Sequence, residues 1–232
     1  MKTFIKWTSI ILAVILIFAF LLFPYEILFN GFAENLKQKS NIKTGWENGS
    51  FYPWKHTLNN VTCVMPDNSK ISYDKVTVHP FLIGLKIYGH KEGGKDSAIL
   101  RGNEVSFDIK NFKLPGDSGR FSGGVLNLAG DFNTKDLSGE GSFTLKLNNL
   151  NFLNIKENAE IKGYYTAEGG KTFINFDVTG KNLSGSGEVS VSLSTPFEQS
   201  RITGTAYLYY NSVGKKVNIT GNIKNLMFLP EG

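Results

Sequence analysis

From Ile42 onward the sequence alternates between apolar and polar residues. "GSFTLKLNN" sets Phe143, Leu145 and Leu147 against Thr144, Lys146 and Asn148. "TFINFDVTG" sets Ile174, Phe176 and Val178 against Asn175, Asp177 and Thr179, and "GEVSVSLST" sets Val189, Val191 and Leu193 against Ser190, Ser192 and Ser194. "KVNITGNIKN" repeats the pattern with Val217, Ile219 and Ile223. A period of two sends alternate side chains to opposite faces of a strand, so this writing predicts antiparallel strands with one apolar and one solvated face. Turn formers punctuate it: "PDNSK", "KEGGKD", "LPGDSG", "NTKDLSG", "AEGGKT", "KNLSGSG" and "NSVGKK". The spacing predicts about a dozen strands between Ile42 and Met227, mostly joined by short turns, with no second long helical pattern.

Some units resemble one another. "LSGEGSF" from Leu137 recurs as "LSGSGEV" from Leu183. "FDIKNFKLP", ending at Pro115, recurs as "GNIKNLMFLP", ending at Pro230, and "LNNLNF", ending at Phe152, is a third variant. The matches are short and irregularly spaced, which predicts a meander of related hairpins rather than a solenoid. The fold class expected is therefore mainly β. The apolar face must be buried in one of two ways. Two sheets can pack as a sandwich, or a single long sheet can curl into a half-pipe or taco whose concave face takes greasy ligands. Alternation reads the same in both. In the second case Phe143, Leu145, Leu147, Ile174, Phe176, Val178, Val189, Val191 and Leu193 are the candidate groove residues.

The N-terminus is of another kind. "WTSIILAVILIFAFLLF", Trp7 to Phe23, carries no charge, with Lys2 and Lys6 before it and Glu26 after it. Crossing a bilayer takes about 20 apolar residues, with a range of roughly 17 to 25. A cleaved signal peptide has a shorter apolar stretch and small residues at the cut. Here the exit reads Leu21, Leu22, Phe23, Pro24, Tyr25. An uncleaved single-pass anchor is expected over residues 1–25, with Trp7, Ile10, Ile11, Leu12, Ile15, Leu16, Phe18, Phe20, Leu22, Phe23 and Tyr25 facing lipid or its interface. The lysines before the run predict that the rest of the chain lies across the membrane. Residues 26–40 then read as an amphipathic helix with Ile27, Leu28, Phe32 and Leu36 near helical spacing. It either caps the first sheet or lies in the membrane interface. Residues 41–232 form the expected all-β domain.

Catalytic chemistry is not written in this sequence. The three histidines, His56, His79 and His90, have no second His or Cys at metal-ligand spacing. His79 and His90 are expected to be exposed strand-end residues. "GHKEGGKD" lacks the spacing of a phosphate-binding loop, and no G-x-S-x-G occurs. Cys63 is the single cysteine and is expected to be a small core residue. The net charge of +5 is spread along the chain without a dense basic tract, which argues against a nucleic-acid partner. The expectation is a protein that is not an enzyme and uses no cofactor or metal.

Several stretches are similar to a known family. "FPYEILFNGF", "LNNVTCVMP" and "YDKVTVHPFLIGL" resemble the opening of the type II secretion system protein N family, with its anchor, short helix and AsmA-like strand series. "GRFSGGVLNLAGDF", "LSGEGSFTLKLNNLNF" and "FDVTGKNLSGSGEVSVSLSTPFEQSRITGTAYLYY" resemble that family's glycine-punctuated strands. The resemblance covers nearly the whole chain, through loose motifs. It implies a bacterial inner-membrane protein with a periplasmic β domain, acting as a non-catalytic accessory or assembly subunit of type II protein secretion. Its partners would be the inner membrane and other secretion-system or envelope proteins. The alternative is an AsmA-like or lipopolysaccharide-export-like protein that binds lipid in an apolar β groove. A chain of this length is expected to work as an assembly subunit rather than to bridge the periplasm by itself.

Overall fold

The computed structural model describes residues 24–231 apart from 65–69, 93, 118–120, 153–154, 195–198 and 223–224. The expected anchor residues Trp7 to Phe23 lie outside the described residues. Among those described, no helix is long and apolar enough to cross a membrane. The alternating segments form one antiparallel sheet of 15 strands that does not close, and one helix precedes it. Residues up to Lys95 form one compact unit and residues from Asp96 form a second, the boundary falling inside β6.

In the first unit, α1 (Tyr25–Ser40) starts directly after Pro24, whose carbonyl accepts the Ile27 N–H at 3.0 Å. Proline suits this place because its missing N–H is one a helix N-terminus leaves unused anyway. Asn41 ends the helix in the left-handed region (φ 53°) and donates its N–H to the Lys37 carbonyl at 3.1 Å. The strands are β1 (Lys43–Gly45), β2 (Asn48–Tyr52), β3 (Lys55–Val64), β4 (Lys70–Phe81) and β5 (Gly84–Lys91), with β6 (Gly94–Arg101) beginning at the boundary. β1 and β2 are two pieces of one interrupted edge strand, since both pair with β3. The helix turns Tyr25, Phe29, Ala33 and Leu36 inward, against β1 and β2. Of the four residues read as its apolar stripe, only Leu36 is among these; Ile27, Leu28 and Phe32 stay exposed. The helix thus covers the start of the sheet and keeps a second apolar surface in solvent.

The second unit continues with β7 (Glu104–Asp117), β8 (Phe121–Asn133), β9 (Ser138–Phe152), β10 (Ile155–Glu168) and β11 (Lys171–Gly180). It ends with β12 (Leu183–Ser192), β13 (Arg201–Tyr210), β14 (Val213–Asn222) and β15 (Leu226–Pro230). Each strand pairs with the next in sequence. Gly169-Gly170 (φ 56° and 82°) and Asn211-Ser212 (φ 49° and 67°) make two-residue hairpin turns, in which positive φ matches the twist of the flanking strands. The count exceeds the expected dozen because the edge strand is split and Leu226–Pro230 adds a last strand. Strands of this unit pack chiefly against their sheet neighbours. The described strands thus pair continuously in one sheet, and no second, separately paired sheet is formed among the described residues.

The recurrent "KN/NN" words mark a shared device. At Asn111 in β7 and Asn149 in β9 the register slips by a bulge, and both residues take positive φ (52° and 50°). Each bulged N–H is met by an asparagine on the neighbouring strand: Asn111 donates to Asn127 Oδ1 at 2.8 Å, and Asn149 to Asn158 Oδ1 at 2.9 Å. Asp96 Oδ1 also accepts the Lys110 N–H at 2.7 Å. In β3 Asn60 also takes positive φ (51°), without a register slip, and donates its side-chain N–H to Glu47 Oε2 at 2.6 Å. Asparagine tolerates the left-handed region better than other residues with a Cβ. The third copy, around Asn222 and Asn225, makes the β14–β15 turn instead, through reciprocal backbone bonds of 3.1 and 3.3 Å.

Candidate functional site

Cross-strand pairing puts the apolar positions of the second unit into continuous rows. One row runs Leu126, Leu145, Ile161, Val178, Gly185, Leu208 from β8 to β13. The next runs Leu128, Phe143, Gly163, Phe176, Gly187, Ala206, Val217 and reaches β14. A third passes through Tyr165, Ile174, Val189, Gly204 and Ile219. Eight of the nine expected groove residues, all but Leu193, share this face. Leu193 lies just past the end of β12, 44% exposed, with its N–H donated to the Gly170 carbonyl at 2.9 Å.

Glycine interrupts each row, and at several of these gaps a large neighbouring side chain lies close. A Cβ on Gly163 would meet the Phe143 ring at 2.8 Å, and one on Gly187 would meet Phe176 Cζ at 2.5 Å. Leu208 Cδ2 lies 2.8 Å from the Cβ position of Gly185, and the Tyr165 hydroxyl 2.6 Å from that of Gly141. The repeated "LSGxG" words supply Gly139 and Gly141 in one copy and Gly185 and Gly187 in the other. A glycine inside a strand weakens it and often marks the close approach of another group. Here the close groups are a backbone carbonyl of the neighbouring strand and a large side chain beside it. An apolar face made this way is one layer deep.

The deepest residues are Val217 (1% exposed), Leu183, Ala206 and Ala159, packed with Val178, Leu208 and Ile219. Of these the alternation picked out Val178, Val217 and Ile219, and only Val178 as a groove residue. Ala206 and Leu208 sit in "TAYLYY", where Tyr207 and Tyr209 occupy the outward positions and obscure the alternation. Phe143, Leu145, Ile174, Phe176, Val189 and Val191 are half-buried. No helix or second sheet covers them among the described residues.

The ion pairs lie elsewhere. Lys146, Glu160 and Lys162 pair at 3.8 and 3.2 Å on the opposite, polar face, an exposed arrangement worth at most about 1 kcal/mol. Glu157 accepts the Asn182 N–H at 3.0 Å and pins the β11–β12 turn. Burial raises the Tyr165 hydroxyl pKa, with the Asp131 charge adding to it. Among the described residues no group of three or more His, Cys, Asp or Glu could hold a metal ion.

The histidines differ from the reading of them. His90 is exposed, but His79 is half-buried within β4 with its ring edge-on to Tyr88 at 6.0 Å. His56 is 3% exposed, ringed by Tyr25, Phe29 and Phe51 at 5.1, 4.9 and 6.1 Å. Burial lowers its pKa, and its Nδ1 has no hydrogen-bond partner among the described residues. Cys63 is half-buried in β3, and burial raises its thiol pKa, which suits a packing role. No family model, no curated protein and no solved structure matches this chain.

Proposed function

We propose that this chain is a non-catalytic, membrane-tethered envelope protein whose second unit holds lipid acyl chains on its apolar face. The observation that carries the reading is the uncovered single-layer face of β8–β14. Val217 is 1% exposed on a sheet that no helix or second sheet covers among the described residues. Neighbouring side chains, among them Ala206, Leu208, Ile219 and Phe228, pack against it. Seven strands at about 4.8 Å spacing make a strip roughly 29 Å across. One acyl chain reaches about half of a ~30 Å hydrocarbon core, so the strip is long enough to take it. Each methylene removed from water contributes about 0.8 kcal/mol before the costs of association.

The test is to purify the full chain in mild detergent and identify co-purifying lipid by mass spectrometry. Lipid bound by the parent protein and absent from a folded Leu145→Lys variant supports the reading. Lipid-free protein sinks it.

A second reading, an accessory subunit of type II protein secretion, is favoured by the likeness of "FPYEILFNGF", "LNNVTCVMP" and "YDKVTVHPFLIGL" to that family's opening. It predicts that deleting the gene impairs export of folded substrates across the outer membrane. Unimpaired export counts against it.

A further inference from the structure

The first unit leaves an unusual set of side chains in solvent, and they gather at one end. The β2–β3 turn exposes Tyr52 (55%) and Trp54 (62%), whose rings stack at 6.0 Å. The β4–β5 turn exposes Leu82 completely (105%) and Ile83 to 69%. Register brings these turns together: His56, two residues after Trp54, pairs with Val78, and Phe81 pairs with Gly84 across the second turn. The start of α1 is at the same end, because the Tyr25 ring lies 5.1 Å from that of His56. Ile27 and Leu28, in the helix's first turn, are exposed as well.

We infer that this end of the first unit seats in the surface of the bilayer, with Trp54 and Tyr52 at headgroup depth and Leu82 and Ile83 below them. The occupant follows from what precedes α1. The charge-free apolar run Trp7–Phe23 is followed by Pro24 and then directly by the helix, whose first residue Tyr25 lies against His56. Tryptophan and tyrosine concentrate at membrane interfaces, where an apolar ring and a polar edge are both satisfied. Exposed apolar side chains gathered on two neighbouring turns mark a contact surface rather than scattered surface variation. Charge agrees: residues 52–55 and 80–86 contain Lys55 and Lys86 and no acidic residue, as a contact with anionic lipid requires. With one chain segment crossing the bilayer and two turns resting on it, the unit is held in a fixed orientation rather than swinging on its tether.

The inference rests on the reading that residues 7–23 enter the membrane, and its test separates the two. Trp7→Phe and Trp46→Phe leave Trp54 as the single indole. The full chain is reconstituted in vesicles of phosphatidylcholine and phosphatidylglycerol brominated at shallow or deep acyl positions. Trp54 is expected to be quenched strongly by shallow bromines and weakly by deep ones. Leu82→Asp with Ile83→Asp should reduce the quenching severalfold while circular dichroism is unchanged. Leu82→Ser with Ile83→Ser serves the same purpose should the acidic pair impair folding. Protein that floats with the vesicles while Trp54 emits as a water-exposed indole, unquenched, overturns the docking alone and assigns the patch to a protein partner. Protein that does not float overturns tether and docking together. Neither result bears on lipid held by the second unit, which is read by co-purification.

Discussion

Gly187→Ala tests whether the apolar face is built by side chains lying over glycines. The added Cβ would stand 2.5 Å from Phe176 Cζ, 2.8 Å from the Thr205 carbonyl and 3.0 Å from Ala206 Cβ. Carbon atoms rest about 3.5–4.0 Å apart, so the ring must retreat by about 1 Å. Overpacking of this kind costs about 1–3 kcal/mol. Loss of glycine's freedom in the unfolded chain returns about 0.4–1 kcal/mol where the backbone suits alanine. The net expectation is destabilisation by about 1–2 kcal/mol, or roughly 2–8 °C in Tm for a chain of this size. Phe176→Ala alone should cost about 2 kcal/mol, since the ring is half-buried and a fully buried one costs about 3–5. In the double variant the ring is gone and the new methyl has most of its space. The two effects should therefore fall short of their sum by about 1 kcal/mol. Urea unfolding followed by far-ultraviolet circular dichroism reads this directly. Amide exchange over β11–β13 assigns the change to the second unit, which contains no tryptophan. Gly187→Ala that stabilises the protein, or a double variant that is simply additive, refutes the reasoning.

Leu145→Lys should remain folded, because a half-buried position lets the long side chain carry its charge to water, whereas Val217→Lys, at 1% exposure, should unfold the second unit; circular dichroism separates them. Asn111→Val and Asn149→Val place a β-branched residue at positive φ and should each cost about 1–3 kcal/mol in urea melts, while the corresponding glycine variants should be near neutral. The first unit should lose stability as pH falls below about 6.5, because there the unfolded chain protonates His56 and the folded chain, with its lowered pKa, does not. His56→Phe should flatten this part of the pH–stability curve measured by tryptophan fluorescence.

The strands were legible because period two is a direct image of a sheet with one solvated face. Phe143, Leu145 and Leu147 needed no structure to be placed together. What the alternation could not encode is the number of layers, since a sandwich and a lone sheet present the same pattern to their cores. The discriminating signal was present in the glycines. Gly163, Gly185 and Gly187 stand at inward positions, where a two-layer core would want volume. The recurrent asparagines were visible as words but not as bulges, because a bulge is defined by the partner strand: Asn111 needs Asn127, and Asn149 needs Asn158. The side of the helix that meets the sheet was not legible, for a different reason. Ile27, Leu28 and Phe32 are the greasier set, yet Tyr25, Phe29, Ala33 and Leu36 have the spacing that meets β1 and β2. Hydrophobicity alone does not say which face meets the sheet.

The protein's two apolar surfaces differ in kind, and that difference argues for different occupants. Leu82 stands wholly in water, so the fold gains nothing from its being leucine. Transfer to hydrocarbon recovers about 1.5–3 kcal/mol for such a side chain. Leu145 and Phe176, by contrast, have already buried most of their surface against neighbours. Only the remainder, about 1 kcal/mol each, is left for a ligand. A surface of the first sort can be made polar without loss of stability and suits a solvent-like partner that envelops it. A surface of the second sort serves folding and binding together and accepts a narrow ligand laid along rows already formed. Leucine-to-serine substitution should therefore leave thermal stability unchanged at Leu82 and lower it at Leu145. Equal losses at both sites would mean that the Leu82 turn packs against something in the folded chain, and the case for a bilayer contact would go with it.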